Sequence, residues 1–246
     1  MRPPLAVFDR MGLVVKWSVL VHINDAQSAY AVHRLLNGRL PVPEIYGWRT
    51  EGDEKFIYMQ YVQGPTLEEA SDSLQPQDRD AISRELRTIC GNLRQLEQDP
   101  SDKFIGNVMR KAISDRAFTS HTHEAGPFNT VHEFHDWFTF LGRKRMHDPH
   151  SVPIEHFRYD LPDDSAIKFT QGDLHRSNII ISSCKPYRML AIIDWEQSGW
   201  LPEYWEARKM KWSVGDKEWR ECLPLILDQY ESTVEAWWWH VGCLGC

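Results

Sequence analysis

The chain has 246 residues, long enough to bury one large core or two smaller lobes. Its composition, 42% hydrophobic and 26% charged, is that of a soluble globular protein and excludes extensive disorder. A formal net charge of −7 without a basic stripe argues against nucleic-acid binding and suits a cationic small molecule better.

The first apolar run, residues 12–23, is broken by Lys16 and His22 and is too short to span a bilayer, so no membrane association is expected. It has no small-residue cleavage pattern either. Within it, residues 12–17 are β-branched with one internal lysine, Lys16, of the kind that usually snorkels to solvent from an edge strand. Asn24 or Asp25 is a candidate cap for a helix reaching about Asn37, with Ala29, Val32, Leu35 and Leu36 as its apolar face and Gly38 as its stop. After Pro41 and Pro43, residues 44–48 and 55–62 read as two strands joined by the polar turn 51–54. Thr66 opens a short helix. A longer one spans about Pro76 to Leu96, with Ile82, Leu86, Ile89, Leu93 and Leu96 at helical spacing and Pro76 suited to the first turn.

Residues 104–116 form a loop ending in Asp115-Arg116, and a run of histidines follows: His121, His123, His132, His135, His147 and His150. Paired as H-x-H and H-x-x-H, they could hold zinc; equally, residues 131–138 read as an amphipathic helix that needs no metal. The proline-rich stretch 149–165 reads as an irregular connection with a turn of helix at 154–159. Residues 178–181 and 189–193 are apolar runs joined by a polar connection containing Pro186, a hairpin with functional groups at its ends. Asp173 and Asn178 lie where the chain enters it and Asp194 where it leaves, so three oxygen-bearing groups can converge on one point. Beyond it, residues 202–214 read as a helix with Trp205 and Met210 inward. A last helix, 219–240, is interrupted near Pro224 and ends in Trp237-Trp238-Trp239, which cannot all face one side and so offer a protein contact. Five cysteines in an odd, irregular set predict free thiols in the cytoplasm, and Cys243 with Cys246 forms a lone C-x-x-C of unassigned role.

Gln171-Gly172-Asp173-Leu174-His175-Arg176-Ser177-Asn178, followed by Ile193-Asp194-Trp195-Glu196, resembles the catalytic loop and metal-binding strand of aminoglycoside phosphotransferase and choline-kinase-like enzymes. These are small-molecule kinases with a protein-kinase-like fold. The run from Gly199 to Glu206 resembles the fungal branch of that family, and residues 41–64 resemble its small lobe and hinge. The resemblance implies an α+β, two-lobed protein-kinase-like fold: a truncated antiparallel-sheet lobe, 1–62, and a mainly helical lobe, 63–246. It implies Asp173 as the base, Asn178 and Asp194 as magnesium ligands, and Lys16 as the clamp on the nucleotide phosphates. Gln60, Tyr61 and Val62 would meet the base of ATP or GTP, and Glu196, Glu203 and Glu206 could attract the small-molecule hydroxyl acceptor.

Three departures stand against that pattern. The strands before the lysine strand and a G-x-G-x-x-G cover loop are not recognisable, Gln171 replaces the usual histidine, and Gln27 occupies the position expected for the glutamate that pairs with the lysine. They leave room for a rival: a non-catalytic relative that binds a metabolite or protein on the same scaffold.

Overall fold

The computed structural model describes residues 3–118, 122, 124–144, 146–212 and 217–245. Its small lobe is a four-stranded antiparallel sheet in the order β1-β2-β4-β3, formed by β1 (Leu5–Phe8), β2 (Leu13–Ser18), β3 (Ile45–Glu51) and β4 (Glu54–Gln60). Strand β1 was not expected. It pairs with β2 from Leu5 opposite Lys16 to Phe8 opposite Leu13, while β4 flanks β2 on the other side. Lys16 therefore sits on an internal strand, where its ammonium cannot snorkel past an open edge.

Helix α1 (Ile23–Leu35) packs two ways. Ala26 joins Val21 and Ile57 beneath the sheet, whereas Ala29, Val32 and Leu36 enter the main core beside Leu67, Ile179 and Ile192. The helix starts at His22, which makes no side-chain cap bond, so Asn24 and Asp25 lie inside its first turn rather than capping it. Thr66 opens a single turn, closed by the Thr66 N–H on Glu69 Oε2 and the Glu69 N–H on Thr66 Oγ1, and not a helix. Gly64 passes so close to the next lobe that a Cβ there would meet the Ile181 carbonyl oxygen at 2.3 Å.

In the large lobe α2 (Pro76–Leu93) begins with a Gln75–Asp78 capping box and buries Ile82, Leu86, Ile89 and Leu93. It packs on α5 (Lys217–Ile226). A second core gathers Phe134 and Phe138 of α3 (Val131–Phe140), Trp205 of α4 (Trp205–Trp212) and Trp237 of α6 (Val234–Cys243). Two short antiparallel pairs carry the loops between these cores: β5 (Ile167–Thr170) with β8 (Gly199–Pro202), and β6 (Ile179–Ile181) with β7 (Met189–Ile192).

The final helix departs from expectation. Pro224 lies within α5, and the chain leaves helix only at 227–230, where Tyr230 adopts a left-handed φ of 46° before α6 begins. The three tryptophans divide. Trp237 is fully buried, while Trp238 and Trp239 are 40% and 44% exposed, the latter against Phe157. His132 and His135 both bond Asp163, which with Asp136 also holds Arg158. His121 and His123 lie outside the described residues, as does Cys246; among those described, no group of three or more His, Cys, Asp or Glu is arranged to hold a metal. No described helix is long and apolar enough to cross a membrane.

Candidate active site

The register of one hairpin assembles the centre. In β6 and β7 Ile179 pairs with Ile192, so the next rung sets Asn178 beside Ile193, whose N–H donates to the Asn178 carbonyl at 2.9 Å. Asp194 follows directly and thus lies at the same end as Asn178. Its φ of 61° is left-handed, a conformation an aspartate tolerates better than a branched residue and one that a functional site can hold under restraint.

The loop before β6 is fixed from three sides. Gln171 accepts the Asp173 N–H on Oε1 at 2.7 Å and donates through Nε2 to the Asp194 carbonyl at 2.9 Å, so its amide ties the two strand ends together. Gly172 has φ 81°, and a Cβ there would lie 2.4 Å from the Gln197 carbonyl oxygen, which leaves glycine as the residue that fits. Asn178 donates through Nδ2 to Asp173 Oδ2 at 3.0 Å and to the Asp173 carbonyl at 2.9 Å, joining the two polar residues across a buried contact.

Lys16 reaches this point from β2. Its Nζ donates to Asp25 Oδ2 at 2.7 Å and Asp194 Oδ1 at 2.8 Å, with Glu196 Oε2 at 3.9 Å. Burial works against its charge, but Asp25 and Asp194 outweigh it and hold the ammonium above the usual lysine range. The countercharge is therefore Asp25, two residues before Gln27. Asp25 does more: its Oδ1 accepts the Trp195 N–H at 2.7 Å, while Asn24 Nδ2 donates to the carbonyls of Glu196 and Ser198 at 3.1 and 3.0 Å. Two residues with the chemistry of helix caps instead clip the segment after Asp194 to α1. The sequence signal for this was a carboxylate in the first turn of the helix that follows the lysine strand, read there as a candidate cap.

Two cavities meet at the centre. One, of about 200 Å³, lies under the sheet between Val7, Val14 and Met59 on one side and Ile180 on the other; Lys16, Asn178 and Asp194 also line it. Gln60, Tyr61 and Val62 form its rim, with the Gln60 and Tyr61 N–H groups already donated to the carbonyls of Glu44 and Gly12. The other, of about 440 Å³, opens on the large lobe between Glu68, Arg116, His175 and Trp212, with Asp173, Asn178 and Asp194 in its lining. Glu196 borders the centre, and burial, then the Asp194 charge, push its carboxyl up to about 7 against the pull of Lys16 and Arg116. Glu203 lies away from both cavities: its carbonyl receives Arg94 and its carboxylate the Tyr230 hydroxyl. Glu206 is buried behind the loop.

A model of the Phosphotransferase enzyme family (APH) matches residues 21–239. The chain belongs to that family. Lys16 precedes the matched stretch, so its place rests on geometry. No curated protein matches the chain by sequence. Among solved structures, a thermostable mutant of aminoglycoside phosphotransferase APH(4)-Ia, in ternary complex with ADP and hygromycin B, superposes with a TM-score of 0.60 at 14% identity. That match covers 94% of this chain and 77% of the other. ADP-bound APH(2'')-Ib gives 0.59 at 15% identity over 96% and 80% of the two chains. The streptomycin-ATP-APH(2")-IIa ternary complex gives 0.55 at 13%, over 98% and 84%. These likenesses establish the aminoglycoside-kinase-like, two-lobed fold of this phosphotransferase-family chain.

Within that fold Glu206 serves the loop and lines neither cavity. It accepts the Gln171 and Gly172 N–H groups at 2.7 and 3.2 Å, and burial pushes its carboxyl from 4.5 up to about 7. Between those two pH values the folded protein keeps a proton that the unfolded chain has released, so this contribution to stability is complete below pH 4.5 and is lost as pH rises to about 7. A shift of this size is worth on the order of 3 kcal/mol. The neutral variant Glu206→Gln keeps one acceptor oxygen, which in the place of Oε2 reaches the Gln171 and Gly172 N–H groups at 2.7 and 3.4 Å, so it is expected to gain stability relative to wild type across that window. His135 and His240, whose pKa burial lowers to about 4, tilt both curves the other way and cancel in the difference. Chemical denaturation of both proteins from pH 5 to 8 checks this; a pH-independent difference would exclude Glu206 ionisation as the cause.

Proposed function

We propose that this phosphotransferase-family chain moves the γ-phosphoryl group of a nucleoside triphosphate, ATP or GTP, to a hydroxyl of a small molecule, with magnesium as the cofactor. The observation that carries the reading is the meeting of Asp173, Asn178, Asp194 and Lys16 where an apolar cavity under the sheet joins a polar one open to the large lobe. The lobe boundary falls at residues 62 and 63, just beyond the last sheet strand.

The apolar cavity suits a purine lying between Val14 and Ile180, with its edge turned to the rim at residues 60–62. Because the Gln60 and Tyr61 N–H groups are engaged, recognition of that edge falls to Val62 and the rim carbonyls. Lys16, held between Asp25 and Asp194, faces the phosphate end. The donor set there fits magnesium: Asn178 supplies an amide oxygen and Asp194 a carboxylate, hard ligands of the kind the ion takes when substrate phosphates and water complete its shell. When bound, magnesium neutralises charge on the phosphate oxygens. Asp173, restrained by Asn178 Nδ2 and by the Gln171 amide, is placed to orient the acceptor hydroxyl and take its proton. An acceptor bearing a cation would find Glu68 in the lining of this cavity, which accords with the small-molecule complexes of the structural neighbours.

Thermal unfolding with ATP, GTP and magnesium tests this reading. A ligand that binds only the native state at about 100-fold its Kd stabilises by about 2.7 kcal/mol. For a chain of this size that is a rise of roughly 5–10 °C in Tm. A flat response to both nucleotides at millimolar concentration, with and without magnesium, would sink the proposal in favour of a non-catalytic binding module.

A further inference from the structure

Asn24 is a polar residue of α1 to which the phosphotransfer scheme gives no task. It stands in the first turn of the helix and lines neither of the two cavities that meet at the centre. Its amide crosses instead from the small lobe to the large one. Nδ2 donates to the carbonyls of Glu196 at 3.1 Å and Ser198 at 3.0 Å, with the Trp195 carbonyl at 3.5 Å. Oδ1 accepts the Ser28 hydroxyl at 3.2 Å, which sets the amide with its NH₂ group toward those carbonyls.

The segment it grips follows directly on Asp194. The peptide unit between Asp194 and Trp195 is held on both sides: its carbonyl accepts Gln171 Nε2 at 2.9 Å, and its N–H donates to Asp25 Oδ1 at 2.7 Å. Ser198 then closes a turn on the Trp195 carbonyl through both its N–H and its hydroxyl. Asn24 anchors the far side of that turn to α1. Asp194 itself keeps a left-handed φ of 61°, a conformation that persists where the surroundings determine it. Lys16 takes Asp194 Oδ1 at 2.8 Å, so the backbone setting of this one residue decides where Oδ2 is offered.

Resting on the phosphotransfer reading, we propose that Asn24 is a positioning residue for the metal: its amide ties the turn 195–198 to α1 and so keeps the Asp194 carboxylate aimed at the magnesium site beside Asn178. Groups that orient a metal ligand from behind govern its affinity for the ion. The contact is also one that separation of the lobes must break, because donor and acceptors belong to different lobes. Its contribution to bulk stability is small. Asn24 borders a polar cavity of about 350 Å³ with Gln27, Lys55, Lys111 and Glu196, so water can satisfy the two carbonyls once the amide is gone. What water does not restore is the tether to the helix.

The test uses the full chain with ADP and magnesium ion, read by calorimetric titration and by thermal unfolding. Asn24→Ala is expected to fold as wild type does, alanine being the better helix former, and to keep its affinity for ADP when a chelator replaces magnesium. The magnesium concentration that half-saturates the ADP complex is expected to rise roughly 10-fold or more. Turnover of ATP with a screened acceptor should show the same rise in magnesium requirement, with kcat restored when the ion is in excess. Asn24→Ser keeps one shorter donor and should fall between the two; it carries the comparison if the alanine variant does not fold. An unchanged magnesium requirement, an equal loss of ADP affinity with and without magnesium, or a rate defect that excess magnesium does not repair would each overturn the role of Asn24 alone. If wild type binds no nucleotide, or binds it without any dependence on magnesium, the phosphotransfer reading falls, and this role with it.

Discussion

Replacing Asp173 by asparagine is expected to lower phosphotransfer about 10³-fold and to leave nucleotide affinity within about twofold. A positioned general base contributes typically 10²- to 10⁴-fold, and in this site Asp173 has little other work. It is 7% exposed, and it lines the cavity on the large-lobe side while Lys16, Val14, Met59 and Ile180 line the cavity under the sheet. The substitution keeps the side-chain shape. The loop keeps the Gln171 amide on the residue 173 N–H, and Asn178 Nδ2 keeps its bond to the residue 173 carbonyl at 2.9 Å even where the side-chain bond is lost. An amide, however, cannot take the hydroxyl proton. The measurement is the initial rate of ATP consumption with an acceptor found by screening hydroxylated metabolites, alongside calorimetric titration of ADP. Turnover within tenfold of wild type would remove Asp173 from the role of base; a matching loss of ADP affinity would show that the residue holds the nucleotide instead.

The parts of this site that were legible in the sequence are those that local periodicity and short spacing control. Two apolar runs of strand length, with Asp173 and Asn178 where the chain enters the first and Asp194 where it leaves the second, form a hairpin whose register needs no distant information. Lys16 likewise stood out as a charge inside an apolar strand. Asp25 did not, because an aspartate in the first turn of a helix has the same local signature whether it caps, faces water or pairs with a lysine, and only the fold brings Lys16 and Trp195 to it. Glu206 was hidden for the same reason: a helix carboxylate is usually solvated, and what draws this one inward is a pair of N–H groups 35 and 34 residues earlier in the chain. Strand β8 shows tertiary context overriding propensity. Gly199 and Pro202 are poor strand formers, yet all four residues are buried because β5 supplies the ladder. Strand β1 is mostly exposed and only four residues long, so it carried no alternation to read.

Truncating Asp115 to alanine is expected to destabilise the fold by roughly 3–5 kcal/mol, lowering Tm by roughly 6–20 °C. The carboxylate is inaccessible to solvent, and its removal leaves the ammonium of Lys209, itself 2% exposed, with the neutral Gln197 amide oxygen in place of a countercharge and takes the acceptor from Trp205 Nε1. Leaving a buried charge without its partner is what makes the single change severe; the pair as such is worth far less, since both ions lost hydration when the chain folded. The double variant Asp115→Asn with Lys209→Met removes both charges, leaves an amide oxygen for Trp205 Nε1, and should recover most of the loss. A coupling free energy of about 1–3 kcal/mol in the double-mutant cycle is the expected result. Denaturant unfolding of wild type, Asp115→Asn, Lys209→Met and the double variant measures it, and a loss under about 1 kcal/mol in Asp115→Ala would mean that water or the Gln197 amide suffices for Lys209.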